Sequence, residues 1–272
     1  MSDTVEVPPG LVVTTTWGLV TAESAQCIAD TRSFCEGQGL KNIQWRMIHG
    51  ALVDKARNDA FRAMLNSQAQ WILMIDADMI WERDAVVRLL SAAYGTHPQY
   101  DVMGAYCNLR GNLALPTIDT GTGTWESHYP GQGVMSVMRT GGAFLLVKRH
   151  VAERVPAPWF ALRVPVRPLD AVAEVDTFCR TVFDGRNPFR GEAWDRLTTA
   201  AATHPSAQSW SAEEVGEDSS FCDRVTSAGL NIGVQSDIVV KHLDREVKDW
   251  TFHRKAMDER TKQDRLLSGF TE

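Results

Sequence analysis

The apolar positions of this chain fall alternately into short continuous runs and into segments with a looser helical period. LVVTTTWGLV begins with Leu11, Val12 and Val13 and passes into β-branched threonines, which predicts a first strand running into a loop. In TAESAQCIADTRSFCEGQG, Ala22, Ala25, Ile28, Ala29 and Cys35 lie on an approximate stripe, so a helix is expected, stopped by Gly37 and Gly39. IQWRMIH predicts a second strand that leads through Gly50 into ALVDKARNDAFRAMLNSQ, a stretch of good helix propensity. WILMIDADMIW is the clearest buried strand. Residues 71–75 are wholly apolar, as a parallel strand covered on both faces requires, and the run stops at Asp76. ERDAVVRLLSAAYG predicts another helix and DVMGAYCN another strand. This rhythm predicts an α/β fold whose central sheet is joined by crossover helices.

Beyond that point the pattern changes. GNLALPTIDTGTGTWESHYPGQG keeps neither period and is expected to be a long loop with room for a short hairpin. VMSVMRTGGAFLLVKRHVAERV predicts a strand, a break at Gly141 and Gly142, a second strand and a short helix. Residues 165–211 are weakly patterned, with short strands and a helix near 191–202 as the expectation. EDSSFCDRVTSAG predicts a helix, LNIGVQSDIVVKHL a pair of short strands, and DREVKDWTFHRKAMDERTKQDRLL a charged surface helix or tail.

Composition narrows the class. With 272 residues, 44% of them hydrophobic, the chain can build a sizeable core, and a net charge of −6 gives it no broad attraction for nucleic acid or anionic membrane. The five cysteines form no CxxC motif, so reduced thiols are expected. MSDTVEVPPG carries acids and no apolar run, and no stretch has the length of a membrane span. The expectation is a cytoplasmic protein without a transmembrane segment.

The candidate chemistry begins where the buried strand ends. Asp76 and Asp78 flank Ala77, and alternation along an extended chain would bring both carboxylates to one side, beyond the carboxyl edge where open α/β sheets bind ligands. Two carboxylates this close repel each other unless a cation or donors compensate, and hard oxygen ligands suit Mg²⁺ or Mn²⁺. A plain helix cap with a solvated partner is the alternative. Lys55, Arg57 and Asn58 sit near the start of a predicted helix, a place that favours anions. Arg57 can pair with a phosphate or hold an acidic side chain, and Lys55 can equally be a solvated surface group. Glu217 and Asp218 follow Gly216 at the head of another predicted helix, where an acid can also serve as a cap.

MIDADM resembles the DxD motif of GT-A glycosyltransferases, in particular the broad family-2-like group. The resemblance extends to the ARN of VDKARNDAF (Ala56, Arg57, Asn58) and to GEDSSFCDRVTSAGLNIGVQSDIVVKH, and runs from about Leu11 to His242. It implies a GT-A fold, with a Rossmann-like, mostly parallel central sheet flanked by helices. In such enzymes the second aspartate binds the metal and the first touches the metal or the donor ribose, which places Asp78 and Asp76 in those roles. Arg57 and Asn58 correspond to a segment beside the nucleotide pocket. Asp54 either contacts the nucleotide or caps its helix, and Thr14, Thr15 and Trp17 end the strand that receives the base. The second strand ends in His49 and Gly50, where common members have D-D-x-S, so base identity stays open.

The GED segment resembles the region carrying the acceptor-activating base of inverting enzymes, which makes Asp218 the base and Glu217 its neighbour orienting the acceptor. A late histidine, His242, is implied at the metal or the diphosphate. Trp159 and Phe160 resemble an acceptor wall, although ordinary packing fits them equally; Gly141 and Gly142 allow either close approach to a sugar or a tight turn. The loop at 119–133 is expected to close over donor.

The resulting division is a leader at 1–10, a nucleotide-sugar-binding half at 11–110, an acceptor-binding and catalytic half at 111–242 and a tail at 243–272. The expected activity is metal-dependent, inverting transfer of a sugar from a UDP- or GDP-linked donor to a hydroxyl of a polysaccharide, glycolipid, protein, metabolite or modified DNA base. A retaining enzyme, or a non-catalytic carbohydrate-binding protein of the same fold, is the alternative. No Gly-rich dinucleotide fingerprint or Walker loop points elsewhere.

Overall fold

The computed structural model describes residues 6–16, 18–49, 52–108, 116–121, 130–162, 172–173, 175–177, 179–180, 191–203, 216–243 and 247–248. They fall into two units, one of 1–161 with 217–272 and one of 162–216. In the first unit the order is β1 (Gly10–Thr16), α1 (Ala22–Gly37), β2 (Ile43–His49), α2 (Val53–Leu65), β3 (Trp71–Asp76), β4 (Met79–Ile80) and α3 (Ala85–Ser91). A π-helical turn at Ala92–Thr96 extends α3. There follow β5 (Val102–Cys107), β6 (Ile118–Asp119), β7 (Val134–Val137), β8 (Arg139–Thr140), β9 (Phe144–Lys148) and α4 (Arg149–Arg154). The second unit contains α5 (Glu192–Thr203), as expected near 191–202, and no strand among its described residues. The first unit is completed by α6 (Glu217–Ser227), β10 (Ile232–Leu243) and β11 (Val247–Lys248).

The central sheet has the order β11-β10-β5-β9-β3-β1-β2, with β4 and β7 also pairing β10. β1, β2 and β3 are parallel, β9 is antiparallel to both β3 and β5, and β10 is parallel to β5. Of the six long strands only β9 therefore runs against the rest, so the central sheet is mostly parallel and the expected α/β class holds. Strict alternation sorts the strand side chains into two cores. Leu11, Val13, Ile72, Met74, Leu145 and Val147 face Phe61 and Met64 of α2, Val151 of α4 and Phe221 of α6. Val12, Trp71, Leu73, Ile75, Phe144 and Leu146 face Cys35 of α1 and Leu89 and Leu90 of α3. A strand buried on both faces has to be apolar at every position, which is why 71–75 carries no polar residue.

Connectivity places the site. β1 leads through α1 outward to β2, and α2 then crosses back over the other face to β3 on the far side of β1. Strand order reverses between β1 and β3, and their carboxyl ends, Thr15 opposite Asp76, border a crevice of the kind in which open α/β sheets bind ligands.

Three expectations are corrected. β3 ends at Asp76, and Ala77 and Asp78 form a turn before β4, so strand alternation does not relate the two aspartates. The turn is fixed because the Ala77 N–H donates to Thr15 O (3.1 Å) and the Leu243 N–H to Asp78 O (2.7 Å). LNIGVQSDIVVKHL supplies one bulged strand, β10, whose register against β5 shifts between Gln235 and Val239. In the tail, 247–248 form a strand against β10; 249–272 lie outside the described residues.

The leader is tied down at its end. Trp71 Nε1 donates to Pro8 O (2.9 Å), and Gly10 lies so close to the indole that a Cβ there would come within 1.9 Å of it. Arg149 donates to the carbonyls of Met64, Leu65, Ser67 and Ala69 at 3.0–3.1 Å, gathering the C-terminal end of α2 and the turn that follows it onto one guanidinium. Arg149→Ala should lower unfolding free energy by about 1–3 kcal/mol in urea titration; an unchanged midpoint would contradict this capping role.

Candidate functional site

Arg57 stands in the second turn of α2 with its side chain only 3% exposed. Nη2 donates to both oxygens of Asp76 (3.2 and 3.1 Å), and Nη1 donates to Glu217 Oε1 (2.6 Å). A buried guanidinium is costly to desolvate and persists only where paired charges compensate. Burial pulls its pKa down, but Asp76, Glu217 and Asp218 pull it up more strongly, so the cation is held. Phe160 lies under the guanidinium at 5.8 Å. Gly142 lies so near that an added Cβ would sit 2.5 Å from it.

The remaining members of the cluster are fixed by short bonds. Thr15 Oγ1 donates to Asp76 Oδ1 (2.8 Å), and the Asp76 N–H donates to Ala143 O (3.0 Å). Glu217 and Asp218 occupy the first turn of α6, where the helix dipole favours carboxylates. Asp218 accepts from the Ser219 N–H (2.7 Å) and the Gly142 N–H (3.3 Å). Residues of β1, β3, α2, α6 and the segment before β9 therefore converge at one end of the sheet.

Not every expected residue joins them. Lys55 is exposed and pairs with Asp59 (2.7 Å) one helical turn on, the solvated-surface alternative. Asn58 is buried and uses its carboxamide internally: Oδ1 accepts from the N–H groups of Trp159 and Phe160, while Nδ2 donates to Asp54 O and Phe160 O. With both ends of the amide taken, Asn58 secures the segment carrying Phe160 beneath Arg57. Asp54 is half-buried in the first turn of α2. Thr14 is buried inside β1, in register with Ile75. Trp17 lies outside the described residues.

Asp78 and His242 are brought to adjoining positions, because His242 pairs with Met79 across β10 and β4. His242 is buried, and its Nδ1 lies 2.7 Å from Asn108 O. A carbonyl only accepts, so Nδ1 carries a proton, and in the neutral ring the lone pair is on Nε2. Cys107 Sγ lies 3.7 Å from the same ring; burial pushes that thiol up, keeping it neutral. Among the described residues no three His, Cys, Asp or Glu side chains form a group able to hold a metal by themselves.

The aromatic pair is packing. Phe160 stacks on Phe221 at 4.4 Å, both rings and Trp159 surround Phe61, and Trp159 and Phe160 are buried. The glycine pair likewise serves internal approach: an added Cβ on Gly141 would meet Thr117, and on Gly142 it would meet Arg57. Both ends of the 119–133 loop are anchored, through the β6–β8 pairing and the Ser236 N–H to Gly133 O bond (2.9 Å); 122–129 lie outside the described residues. Sequence reasoning missed Phe160 and Gly142 as walls around Arg57. No local signal marks them, because their partner is distant in sequence.

Comparison with models of known protein families finds no match, and no curated protein matches the sequence. Among solved structures, A197 from STIV aligns at 15% identity with a TM-score of 0.50, over 87% of this chain and 86% of that one. The two share a fold. Two further solved structures align over a smaller part of the chain, and the first is a glycosyltransferase. It is involved in glycosylation of the major capsid of PBCV-1 (12% identity, TM-score 0.30, 56% of this chain and 69% of that one). HddC from Yersinia pseudotuberculosis aligns at 10% identity and a TM-score of 0.31, over 54% and 80%. The TM-scores of the PBCV-1 enzyme and HddC lie below the level at which a common fold follows. Among the described residues no helix is long and apolar enough to cross a membrane.

The cluster has a pH signature. Burial raises the Glu217 carboxyl above its ordinary value of 4.5; Arg57 opposes the rise, while Asp218 and Asp76 add to it. The folded state thus holds this proton more tightly than the unfolded chain. The associated stability is fully present below the ordinary carboxylate value and is lost as pH rises through the raised one. In urea unfolding between about pH 4 and about pH 7, Glu217→Gln should lose less stability with rising pH than the unsubstituted protein. An equal or steeper loss would contradict the assignment.

Proposed function

We propose that the chain is a glycosyltransferase moving a sugar from a nucleoside-diphosphate donor, UDP- or GDP-linked, to an acceptor hydroxyl. The observation that carries this reading is the meeting of the DAD and GED acids, through Arg57, at the strand-order reversal of a mostly parallel sheet. That is where a diphosphate-bearing ligand would enter such a fold. Three carboxylates, Asp76, Glu217 and Asp218, act on one buried guanidinium, an excess of negative charge that a cation would offset.

The residues suit Mg²⁺ or Mn²⁺ of the kind completed by waters and substrate phosphates, which needs only one or two protein carboxylates. Asp78 would hold it, with Asp76 at the metal or the donor ribose and His242 at the metal through an Nε2 lone pair or at the diphosphate through an Nε2–H. When bound, such an ion supplies Lewis-acid stabilisation of the departing diphosphate. Asp218 takes the proton of the acceptor hydroxyl while that oxygen forms its bond to the anomeric carbon. The carbon–oxygen bond to the diphosphate breaks, and the nucleoside diphosphate leaves with the electron pair. One displacement of this kind inverts the anomeric configuration. Glu217, set by Arg57, orients the acceptor.

A panel of UDP- and GDP-sugars, with and without Mn²⁺, scored by calorimetric binding and by donor turnover, tests the reading. Asp78→Ala should lose Mn²⁺-dependent donor binding. Asp218→Asn should keep donor binding and slow transfer about 10²- to 10⁴-fold. Turnover with retained configuration would remove Asp218 from the role of base, and donor binding without turnover would favour a carbohydrate-binding protein.

A further inference from the structure

Asp76 of one acidic motif and Glu217 of the other meet on one side chain. Asp76 and Glu217 are 23% and 19% exposed, whereas Arg57 between them is 3% exposed, so the guanidinium lies beneath two carboxylates that reach solvent. We propose that Arg57 is a positioning residue for the transfer reaction, holding Asp76 on the donor side and Glu217 on the acceptor side at one fixed separation. This inference rests on the glycosyltransferase reading of the site.

Three features of the surroundings carry it. Both Nη groups bond protein carboxylates and the side chain is buried beneath them, so Arg57 meets solvent through Asp76 and Glu217 and not as a direct ligand for a donor phosphate. The rigid plane of a guanidinium directs its two nitrogens at two partners in a set geometry, which a lysine ammonium cannot reproduce. The plane itself is held. Phe160 lies 5.8 Å below and is fastened by Asn58, and Gly142 leaves room for no atom beyond its own hydrogens. The Gly142 N–H also donates to Asp218, so the residue that admits Arg57 places the proposed base as well. Donor-side and acceptor-side groups are thus built on one internal cross-link. A displacement of about 1 Å at such a link is enough to cost about 10²-fold in rate.

The test uses the full chain, Mn²⁺ and whichever nucleotide sugar the unsubstituted protein turns over. Arg57→Lys, folded by circular dichroism, should lower kcat about 100-fold and raise donor KM together, since both carboxylates lose their setting. Arg57→Ala should regain part of its lost kcat in millimolar methylguanidinium but not in methylammonium, a rescue that loss of packing alone would not give. If the Arg57 variants do not fold, Gly142→Ala displaces the guanidinium with the arginine retained and should show the same joint change. A folded Arg57→Lys or Gly142→Ala protein with unchanged kcat and donor KM would overturn the positioning role and leave the transfer reaction standing. So would an Arg57→Ala defect that methylguanidinium does not relieve. An unsubstituted protein that turns over no nucleotide sugar would overturn the transferase reading and this inference with it.

Discussion

A cation buried in a protein has to be surrounded by compensating charge, and the site described here is organised around that constraint. Arg57 is enclosed by Phe160, Gly142 and the body of α2, and it survives there because Asp76 and Glu217 bond it directly. Removing either partner would take a direct bond from a cation held in a dry setting. Their joint position links the end of β3, the start of α6 and the segment before β9. Asp76 and Glu217 thereby share one cation, and both reach solvent.

The fold supplies the setting through its connections. α1 and α2 cover opposite faces of the sheet, and the chain must recross β1 to reach β3. That recrossing opens the crevice between β1 and β3 and directs the start of α2 across it. Thr15, next to Asp76 in strand register, adds a hydroxyl donor to the same carboxylate. β10 closes the other side, pairing with β4 and bringing His242 alongside the Asp78 turn. Much of this depends on backbone rather than on ionisable groups, which is why small residues such as Gly142 matter as much as the charged ones.

Legibility in the sequence follows the range of the interactions. The run at 71–75 was readable because a strand covered on both faces excludes polar residues, and the structure places those residues in both cores. The end of that strand at Asp76 was readable for the same reason. The turn at Ala77 and Asp78 was not, because its backbone is held by Thr15 and Leu243, and nothing local distinguishes it from continued extension. β10 appeared as two strands because the bulge between Gln235 and Val239 interrupts the apolar period without ending the pairing. For Arg57 the sequence pointed to the nucleotide pocket with a carboxylate partner as the alternative, since Glu217 is 160 positions away. Asn58, Trp159 and Phe160 carried the residue types of a binding surface, yet the same types make a buried amide clasp and an aromatic core.

The central claim is that a cation and a nucleoside diphosphate occupy the end of β3 beside this clamp. Crystals grown with UDP or GDP and Mn²⁺, with diffraction collected at the manganese edge, test it most directly. An anomalous peak is expected in contact with Asp78 and diphosphate oxygens, with Arg57 still bonded to Asp76 and Glu217. Manganese and nucleotide bound away from Asp76 and Asp78, or a diphosphate held by Arg57 in place of those carboxylates, would contradict it.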